Sequence, residues 1–456
     1  MTAPQGNTDV CVIGAGLAGL MAADELRRAG LGVEVFEAQA AVGGRVKDVV
    51  CSDNVVVELG ANWFSGQQPL IRAQIKRFGI DTVETHSEGN HLIWWDRKRS
   101  SFRGAIPSVG LLNNADIIQG MARFDHAMGR LKNSEPWSDS LTKYDHLSFG
   151  QWIDSALFTR MGKEFFCMVS EMVFGVEAHM VSFLYVLYYS SRSVSLSSLI
   201  SVSQGHQEFR FKKGPAELCE KIAASVGPSR IHLKTPVRSI RVADGCVDVE
   251  TTASRGRYRA VLFAIPPAAV RQVVFSPPRP TTRDRLLQAL PMGRVIKVQA
   301  VYERPYWIEQ GLSGQVMSNH YPLSYTIDNS PSDRQCGVLA GFVGTSHAEQ
   351  FMKPRADRKT LVADAIDQMF GGLFPKPKEV LIEDWAANEW IGGSYGAYFP
   401  PGVMTRMGKL LREQDPPIYW CGAEYGQVHP CQMEGALDSG LRSARTISAA
   451  LAQAQN

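Results

Sequence analysis

Three glycines near the start of the chain have the spacing of a phosphate-binding turn. A short apolar segment runs into Gly14-x-Gly16-x-x-Gly19, a helical pattern follows, and a second apolar segment ends in Glu37. In such a turn the first glycine permits the bend, the second lets the backbone approach a pyrophosphate, and the third lets the helix pack close to the strand. The helix N-terminus offers unpaired N–H groups to phosphate. Because Glu37 is also placed for a ribose diol, the segment predicts a dinucleotide-binding domain.

Two further positions carry residue types suited to this chemistry. A glycine pair ending at Gly44 allows close backbone approach, and Arg45 after it provides positive charge for a phosphate. Lys297 lies in a predicted strand with Val295 and Val301 on its own face. A lysine among valines should lose hydration, which lowers its pKa. The alternative is a lysine at a sheet edge that extends its ammonium group into solvent.

The elements that must position these residues form two interleaved patterns. Strand and helix patterns of the dinucleotide-binding type occupy 1–84, 213–290 and 391–456, and the stretches 85–212 and 291–390 differ from them in periodicity and aromatic content. We therefore expect an α/β fold in which a discontinuous Rossmann-like domain is interleaved with an α+β domain that binds substrate.

Three local predictions refine this organisation. The stretch 190–203 is serine-rich and predicts an irregular connection, whereas alternation over 204–211 predicts a strand. A helical pattern over 432–450 predicts a long helix near the end of the chain.

Composition excludes several classes of function. The 456 residues include 48 Lys and Arg against 45 Asp and Glu, so the net charge of +3 argues against nucleic-acid binding. The eight cysteines are irregularly spaced and form no C-x-x-C pair, so we expect reduced thiols in a cytoplasmic protein. No metal-ligand pattern is present, and we expect no metal. Neither a signal peptide at the start nor a membrane anchor at the end is expected.

Six motifs in a fixed order identify a family resemblance. They are VIGAGLAGL from Val12, GGR ending at Arg45, ELGANWF at 58–64, MGRVIKV around Lys297, GGSYGAYFPPG at 392–402 and CGAEYGQVHPCQMEGALDSG at 421–440. Together they resemble the FAD-dependent amine oxidase family, which includes monoamine and polyamine oxidases. The resemblance implies the amine-oxidase architecture and FAD, where the glycine motif alone left FAD and NAD open.

The resemblance also implies roles for four residues. Lys297 would hold a water near flavin N5 and assist the reaction with oxygen, and Tyr395 would present its ring to the substrate amine. Relatives place a second tyrosine opposite that ring, and here Gln432 stands there, with an amide suited to hydrogen-bonding substrate. Ser394 replaces the cysteine that carries a thioether to the flavin in mitochondrial-type relatives. We therefore expect non-covalent FAD.

Further contacts and a reaction follow from the same resemblance. Implied FAD contacts are Gly60, Ala61, Asn62, Trp63, Val237, Trp385, Glu424 and Met433. Implied substrate contacts are Met172, Val173, Leu199, Ile200, Gln207 and Tyr325. The expected reaction takes hydride from the carbon next to an amine nitrogen to flavin N5, produces an imine, and reduces O2 to H2O2. The partners are thus a small molecule and oxygen, with a homodimer as one expectation for the assembly.

Two alternatives stay open at this point. Because Gln432 suits a carbonyl group, a flavin-dependent desaturase or dehydrogenase acting on a C–C bond beside a carbonyl is the first. A non-catalytic FAD-binding protein is the second. Gly392-x-Ser394-x-Gly396 also fits the nucleophile-elbow pattern of serine hydrolases, but that elbow needs a strand before it and a helix after it, and the flanking sequence fits neither.

Overall fold

A computed structural model describes residues 8–52, 54–104, 107–133, 135–353 and 357–454. The expectations about a signal peptide and a C-terminal anchor rest partly on residues 1–7 and 455–456, which lie outside the described residues. Among the described residues, no helix has both the length and the apolar character needed to cross a bilayer.

The strands are numbered in chain order. They are β1 Val10–Ile13, β2 Val33–Phe36, β3 Asp48–Val50, β4 Val56–Glu58, β5 Trp63–Phe64, β6 Thr82–Glu84, β7 Asn90–Trp95, β8 Lys98–Phe102, β9 Phe209–Phe211, β10 Ile231–His232, β11 Val237–Ala243, β12 Cys246–Thr251, β13 Arg255–Tyr258, β14 Ala260–Phe263, β15 Val274–Ser276, β16 Ile296–Tyr302, β17 Leu312–Ser318, β18 Tyr325–Asp328, β19 Gly337–Val343, β20 Glu379–Asp384 and β21 Ile418–Trp420.

The α-helices are numbered in the same way. They are α1 Leu17–Arg28, α2 Pro69–Phe78, α3 Leu111–Gly129, α4 Thr142–Asp145, α5 Phe149–Ala156, α6 Arg160–Val169, α7 Phe183–Arg192, α8 Leu196–Ile200, α9 Ala216–Val226, α10 Pro267–Val270, α11 Thr281–Ala289, α12 Tyr306–Glu309, α13 Thr345–Met352, α14 Arg358–Phe370, α15 Met404–Met407 and α16 Met433–Gln453. A π-helical turn, Ser170–Phe174, extends α6.

A parallel sheet forms the first layer, in the order β10-β2-β1-β14-β21. The strands are short and β1 and β14 are buried throughout, as expected for a sheet covered on both faces. Because the strands are parallel, their carboxyl ends meet at one edge, and the segments after β1, β2 and β21 lie together there. Helices α1 and α16 pack so closely that a Cβ on Gly440 would lie 2.3 Å from the Ala18 carbonyl oxygen.

A second, larger sheet has the order β20-β16-β19-β18-β17-β7-β8. Its strands are antiparallel to their neighbours except for the β17–β7 pair, which is parallel. Strand β16 lies between β19 and β20, and all of its residues are buried. This central position explains why Lys297 is shielded from solvent.

The helical segment over 111–200 covers one side of the second sheet's edge region and has an aromatic core. Phe149 and Phe183 stack on Trp152, and Phe124 and Phe166 contact the same ring edge-on or tilted. Such ring pairs add to the stability gained from burial alone. Helices α6, α7 and α8 are thereby held against the region that contains Tyr395.

Two of the local predictions are wrong. The stretch 190–203 is not an irregular connection, since it contains the end of α7 and all of α8, with Ser195 capping α8. The strand expected over 204–211 is limited to β9, because residues 204–208 form turns that place His206 and Gln207 beside other loops. The long terminal helix is confirmed as α16.

The strands of the parallel sheet all lie within the three stretches assigned to the dinucleotide-binding domain. The larger sheet lies within 85–212 and 291–390. Strand β9 is an exception, since it pairs with β5 and β6 of the first stretch. The domain boundaries themselves stay a prediction. All eight cysteines are free thiols, and no cluster of metal-ligating side chains occurs among the described residues.

Candidate active site

A long cavity joins the carboxyl edge of the parallel sheet to the helices α6–α8 and the strands β17–β18. We call the part beside the sheet the cofactor end; its walls include Gly14, Gly16, Glu37, Gly44 and Val237. We call the part beside the helices the substrate end; its walls include Met172, Val173, Leu199, Ile200, Gln207 and Tyr325.

Glycine backbones form the wall of the cofactor end. Gly16 forms a bridge to Gly43, and a Cβ added to Gly44 would lie 3.3 Å from the Gly16 Cα. Side chains at these positions would fill the space where a pyrophosphate must approach the backbone. Gly19 does not line the cavity; its added Cβ would lie 2.0 Å from the Gly14 carbonyl oxygen, which agrees with its expected packing role.

Glu37 follows β2 and is almost fully buried. Its two carboxylate oxygens accept hydrogen bonds from the backbone N–H groups of Ala15, at 2.7 Å, and Gln39, at 2.8 Å. These bonds fix the carboxylate against the glycine turn, and each oxygen keeps a lone pair for a further donor. The arrangement fits a ribose diol at this edge, and together with the glycine wall it fits a dinucleotide such as FAD.

Arg45 forms a buried bidentate ion pair with Glu424. Its two terminal nitrogens lie 2.7 and 2.9 Å from the carboxylate oxygens, and one of them also donates to the Tyr395 carbonyl at 2.7 Å. Burial raises the pKa of Glu424, but the Arg45 guanidinium outweighs it and holds that pKa below its usual value. Glu424 does not line the cavity; it holds Arg45, which in turn holds the Tyr395 backbone, and its predicted contact with FAD stays a prediction.

Lys297 projects from β16 toward the middle of the cavity. Its ammonium nitrogen donates to the Gly60 carbonyl and to Asn62 Oδ1, each at 2.9 Å, and lies 4.7 Å from the centre of the Trp63 ring. Burial lowers the pKa of Lys297 to about 8, as the sequence predicted, although Glu58 and Asp48 act in the opposite direction. Two of its three donor positions are therefore used by the protein, and one remains for a molecule in the cavity.

A buried amide chain supports Asn62. Its Nδ2 donates to Asn329 Oδ1 at 3.1 Å, and Asn329 in turn donates to Glu58 at 2.7 Å. Arg210 adds hydrogen bonds to the Asn329 carbonyl and side chain at 2.9 and 3.0 Å. The hydrogen bonds to Asn329 fix the oxygen that Asn62 presents to Lys297.

Ser394 lies on the cavity wall with its hydroxyl turned into the backbone. The oxygen accepts from the Val295 N–H and donates to the Val295 carbonyl, both at 2.8 Å. The strand and helix that a nucleophile elbow requires are missing around it in the described chain, since β20 ends ten residues earlier at Asp384. The serine-hydrolase alternative is therefore wrong.

Tyr395 and Gln432 both line the cavity but differ in their contacts. The Tyr395 hydroxyl makes no hydrogen bond within the described residues, and burial raises the pKa of Tyr395. The Gln432 amide oxygen accepts from Gln68 Nε2 at 2.8 Å, and its nitrogen donates to Ser193 at 3.1 Å and Tyr189 at 3.4 Å. The amide expected to bind substrate is thus already held by three protein groups.

The start of α16 meets the start of α2 behind this amide. Glu434 accepts hydrogen bonds from the Leu70 and Ile71 N–H groups at 2.9 and 2.8 Å, which satisfies otherwise unpaired donors in the first turn of α2. Gln68, which bonds to Gln432, immediately precedes this helix. The position of Gln432 is therefore set by two helix ends as well as by α7.

The structure brings nearly all the residues implied by the resemblance to one cavity. Besides those already placed, Gly60, Ala61, Asn62, Trp63, Trp385 and Met433 line it, and of the whole predicted set only Gly19 and Glu424 do not. Trp385 is fixed by a hydrogen bond from its indole nitrogen to the Leu59 carbonyl at 3.1 Å. Their individual roles stay predictions.

Sequence reasoning missed several residues of the substrate end. These are Phe165, Met168, Tyr189, His206, Met317 and Cys431. The spacing of Met168 and Met172 at i and i+4 on one helical pattern was a usable indication, because such residues share a face. Nothing in the pattern around Met317 or Cys431 distinguishes them from core residues.

His206 and His429 form a buried pair at this end of the cavity. His206 Nε2 lies 3.2 Å from His429 Nδ1, and Ser198 lies within hydrogen-bonding distance of the other His206 nitrogen. Burial, with a smaller effect of His206, lowers the pKa of His429 to about 4. The neutral pair joins the loop that carries Gln207 to the loop that carries Gln432.

Comparison with known proteins agrees with this site. A family model described as flavin containing amine oxidoreductase matches residues 17–448. The chain is 31% identical over 452 residues to a putative flavin-containing monoamine oxidase, AofH, of Mycobacterium tuberculosis, covering 99% of both chains. It is 30% identical over 447 residues to the flavin-containing amine oxidase B of Sus scrofa, covering 96% of this chain and 86% of that one.

Solved structures give the same picture. Wild-type putrescine oxidase bound to putrescine superposes with a TM-score of 0.92 at 26% identity, covering 97% of this chain and 99% of that one. Cyclohexylamine oxidase from Brevibacterium oxydans, at 24% identity and a TM-score of 0.93, supports the fold alone. The chain belongs to the flavin-containing amine oxidoreductase family. It is an FAD-dependent oxidoreductase of the amine oxidase type, and the predicted fold class is confirmed.

Proposed function

We propose that this enzyme oxidises small, apolar monoamines in their neutral form, with non-covalent FAD and with O2 as the electron acceptor. The amine loses hydrogen from nitrogen and the adjacent carbon to become an imine, water hydrolyses the imine, and O2 becomes H2O2. FAD, when bound, supplies the redox chemistry that amino-acid side chains lack. The residues that line the cavity orient the amine, exclude water from its reacting carbon and stabilise charge during the oxygen reaction.

The observation that carries this proposal is the charge pattern of the cavity. Among the described residues on its walls, the sole carboxylate is Glu37, at the cofactor end, while Arg45 and Lys297 supply the positive charge. A buried site without an anion disfavours an ammonium group and favours the neutral amine. The same pattern disfavours a diamine, because its second ammonium group would find no carboxylate in the substrate end.

Positioning of the amine rests on Tyr395. Arg45 donates a hydrogen bond to the Tyr395 backbone carbonyl, and Glu424 forms an ion pair with Arg45. The backbone that carries the Tyr395 ring is therefore fixed by a buried ion pair. Met172 and Tyr325 pack against the same apolar cluster as this ring. A rigid aromatic wall with apolar neighbours orients an amine and excludes water from its reacting carbon.

Lys297 is the proposed group for the oxygen reaction. Its ammonium nitrogen is held by Gly60 and Asn62, which leaves a donor for a water or for oxygen in the cavity. A fixed positive charge stabilises negative charge that develops on oxygen during reduction, and the low polarity of the surroundings strengthens this effect. The buried amide chain behind Asn62 keeps this charge in place.

Non-covalent attachment is supported by the contacts of the two candidate attachment residues. The Ser394 hydroxyl makes two backbone hydrogen bonds to Val295. Cys431 also lines the cavity, but burial raises the pKa of its thiol to about 12, so it stays protonated and a poor nucleophile. We expect acid precipitation to release the yellow colour from the wild type and from Cys431→Ser alike. Colour retained in the wild-type pellet would contradict the proposal, and its loss in Cys431→Ser would identify the attachment site.

The substrate proposal is tested with chain-matched amines. Hexylamine and hexamethylenediamine differ by one terminal amino group, so their comparison isolates the second charge. We expect peroxide release with a kcat/KM at least about tenfold higher for hexylamine, since an unpaired buried ammonium costs several kcal/mol. An equal or higher value for the diamine would contradict the monoamine assignment.

The C–C desaturase is the remaining alternative, and it was motivated by the amide of Gln432. That amide is bonded to Gln68, Ser193 and Tyr189, which favours the amine oxidase. The non-catalytic alternative is disfavoured by family membership. Anaerobic mixing separates these cases: hexylamine should bleach the flavin, and a cyclic ketone such as cyclohexanone should not. Bleaching by the ketone alone would support the desaturase.

Two further expectations stay predictions. The eight free thiols agree with a reducing compartment, and we propose the cytoplasm. A homodimer is proposed on the resemblance alone. Light scattering of the purified holoenzyme and fractionation of cells that express the chain test these statements.

A further inference from the structure

Three methionines line the substrate end of the cavity, and they come from three elements. Met168 lies in α6, Met172 lies four residues later in the π-helical turn, and Met317 lies in β17. Met168 and Met172 both line the cavity, although they pack against different clusters. All three are half-buried, which leaves part of each side chain exposed to the cavity.

These thioethers lie close to the reacting part of the site. Met317 is the cross-strand partner of Tyr325, and Met168 packs with Met317 against the cluster around Trp95 and Phe102. Met172 packs against the same cluster as Tyr395. A small molecule that forms beside Tyr395 therefore shares one cavity with all three methionine side chains.

We propose that Met168, Met172 and Met317 are oxidation sites at which hydrogen peroxide from the enzyme's own turnover forms methionine sulfoxide; the inference rests on the proposed function, which supplies the peroxide. A sulfur lone pair attacks one oxygen of H2O2, an S–O bond forms, and the O–O bond breaks. The second oxygen leaves as water after taking up the proton. The sulfur is oxidised by two electrons and the peroxide is reduced by two, so the step balances.

The consequence is a self-limiting enzyme. A sulfoxide is polar where the thioether was apolar, and in this cavity it lies where an apolar amine must bind. Because the substrate end has few polar partners for the new oxygen, it also draws water into the cavity. Both effects disfavour the neutral amine and lower turnover.

The chain provides internal references for a test. Met21, Met369 and Met404 are at most 4% exposed and do not line the cavity, so peroxide should reach them last. Met180 is 56% exposed at the surface and also lies outside the cavity, so it reports on peroxide in bulk solution. Comparing the three groups separates oxidation inside the cavity from general oxidation.

The first experiment follows the holoenzyme during turnover of hexylamine with catalase present to remove peroxide from bulk solution. Peptide mass mapping then measures the gain of one oxygen atom at each methionine. We expect Met168, Met172 and Met317 to gain oxygen at least about tenfold faster than Met180. Oxidation of Met180 at an equal rate, or none at the three cavity methionines, would overturn the proposal.

A second experiment adds H2O2 to the holoenzyme without amine. The three cavity methionines should gain oxygen before Met21, Met369 and Met404, because they are accessible and the others are not. If no amine yields peroxide but added H2O2 oxidises the cavity methionines first, the proposed function fails and the accessibility argument stands. If added H2O2 leaves the three cavity methionines intact, they are not oxidation sites, whether or not the enzyme oxidises amines.

A variant ties oxidation to the loss of turnover. Substitution of all three by leucine conserves apolar volume and removes the oxidisable sulfur. We expect the rate of the triple variant, relative to its own starting rate, to decline about fivefold more slowly than that of the wild type. Met180→Leu is the matched control and should decline like the wild type. A triple variant that declines at the wild-type rate would contradict the link.

Discussion

The two ends of the cavity are built in different ways. At the cofactor end, Gly14 directly follows β1 and Glu37 directly follows β2, and the backbones of Gly16 and Gly44 form the adjoining wall. The substrate end is assembled from α6, α7, α8, β17 and β18, which lie between Arg160 and Asp328 in the chain. The first depends on backbone geometry, and the second depends on side-chain packing.

This difference has a consequence for substitution. A backbone site has no freedom to accommodate a new side chain, because the clash is with main-chain atoms. A packed apolar site can adjust rotamers, and methionine is especially adaptable. We therefore expect substitutions at the cofactor end to abolish flavin binding and substitutions at the substrate end to change KM and stability by smaller amounts. Between the two ends, substitution of Lys297 should affect the rate of reoxidation by O2.

The largest effect is expected for Gly19→Ala. The added Cβ would lie 2.0 Å from the Gly14 carbonyl oxygen, so α1 must move away from β1 and distort the phosphate turn. We expect purified protein with less than about a tenth of the wild-type flavin-to-protein absorbance ratio, and a loss of stability of about 1–3 kcal/mol or more. Gly129→Ala is the matched control, because its added Cβ meets nothing within 4 Å. A Gly19→Ala variant with the wild-type flavin-to-protein absorbance ratio would show that the close contact between Gly19 and Gly14 is not required for flavin binding.

Lys297→Met should have the next largest effect, and it should be confined to one step. Stopped-flow measurements are expected to show reoxidation by O2 slowed by about 100-fold to 1000-fold, the range for loss of one preorganised electrostatic group. Anaerobic reduction by hexylamine should change by less than about threefold. Lys47→Met is the control, since Lys47 pairs with Glu383 at 2.6 Å and does not line the cavity. Equal reoxidation rates would remove Lys297 from the oxygen step.

The same lysine predicts a pH dependence. Since its pKa is about 8, the ammonium form dominates below that value, and reoxidation should slow as pH rises through about 8. The profile should become flat in Lys297→Met. For stability, the folded pKa lies below the ordinary value of 10.5, so the unfolded chain holds more protons between pH 8 and 10.5. The unfolding free energy of the wild type relative to Lys297→Met should therefore rise across that window, as measured by denaturant titration.

The smallest effects are expected at the substrate end. Gln432→Leu removes hydrogen bonds to Gln68, Ser193 and Tyr189, and should lower the free energy of unfolding by about 1–3 kcal/mol and raise KM several-fold. Tyr395→Phe keeps the ring and loses a hydroxyl that has no hydrogen bond in the described chain, so kcat/KM should stay within about threefold. A larger effect of Tyr395→Phe than of Gln432→Leu would reverse the roles given to the two residues.

Much of the site was predictable, for reasons that differ between its parts. Gly14, Gly16 and Glu37 were found because turn, helix and strand follow one another within one short segment. Lys297 was found because a lysine in a valine-rich strand is unusual. The helix α8 was missed because serines dominate its stretch. Its apolar residues Leu196, Leu199 and Ile200 do have helical spacing, but a helix of five residues forms only with the support of tertiary packing.

The role of Gln432 shows a different limit. The sequence revealed an amide where relatives have a ring, and a free amide suggested contact with substrate. Whether an amide is free depends on its neighbours, and these come from α2 and α7, about 360 and 240 residues away in the chain. The Arg45–Glu424 pair was hidden for the same reason, because both residues matched motifs as separate contacts to FAD.

The sequence by itself indicated the family and the flavin nucleotide, because six motifs occur in a fixed order along the chain. It also determined the glycine turn, because the residues of that turn are neighbours in the chain. Tertiary structure alone decided the absence of a carboxylate from the described walls of the substrate end, the bonds that hold Gln432, and the gathering of three methionines at the substrate end. Those features depend on which side chains from distant elements line the same cavity. The hydrophobic pattern of a helix or strand determines which of its faces is buried, but not which other element packs against that face.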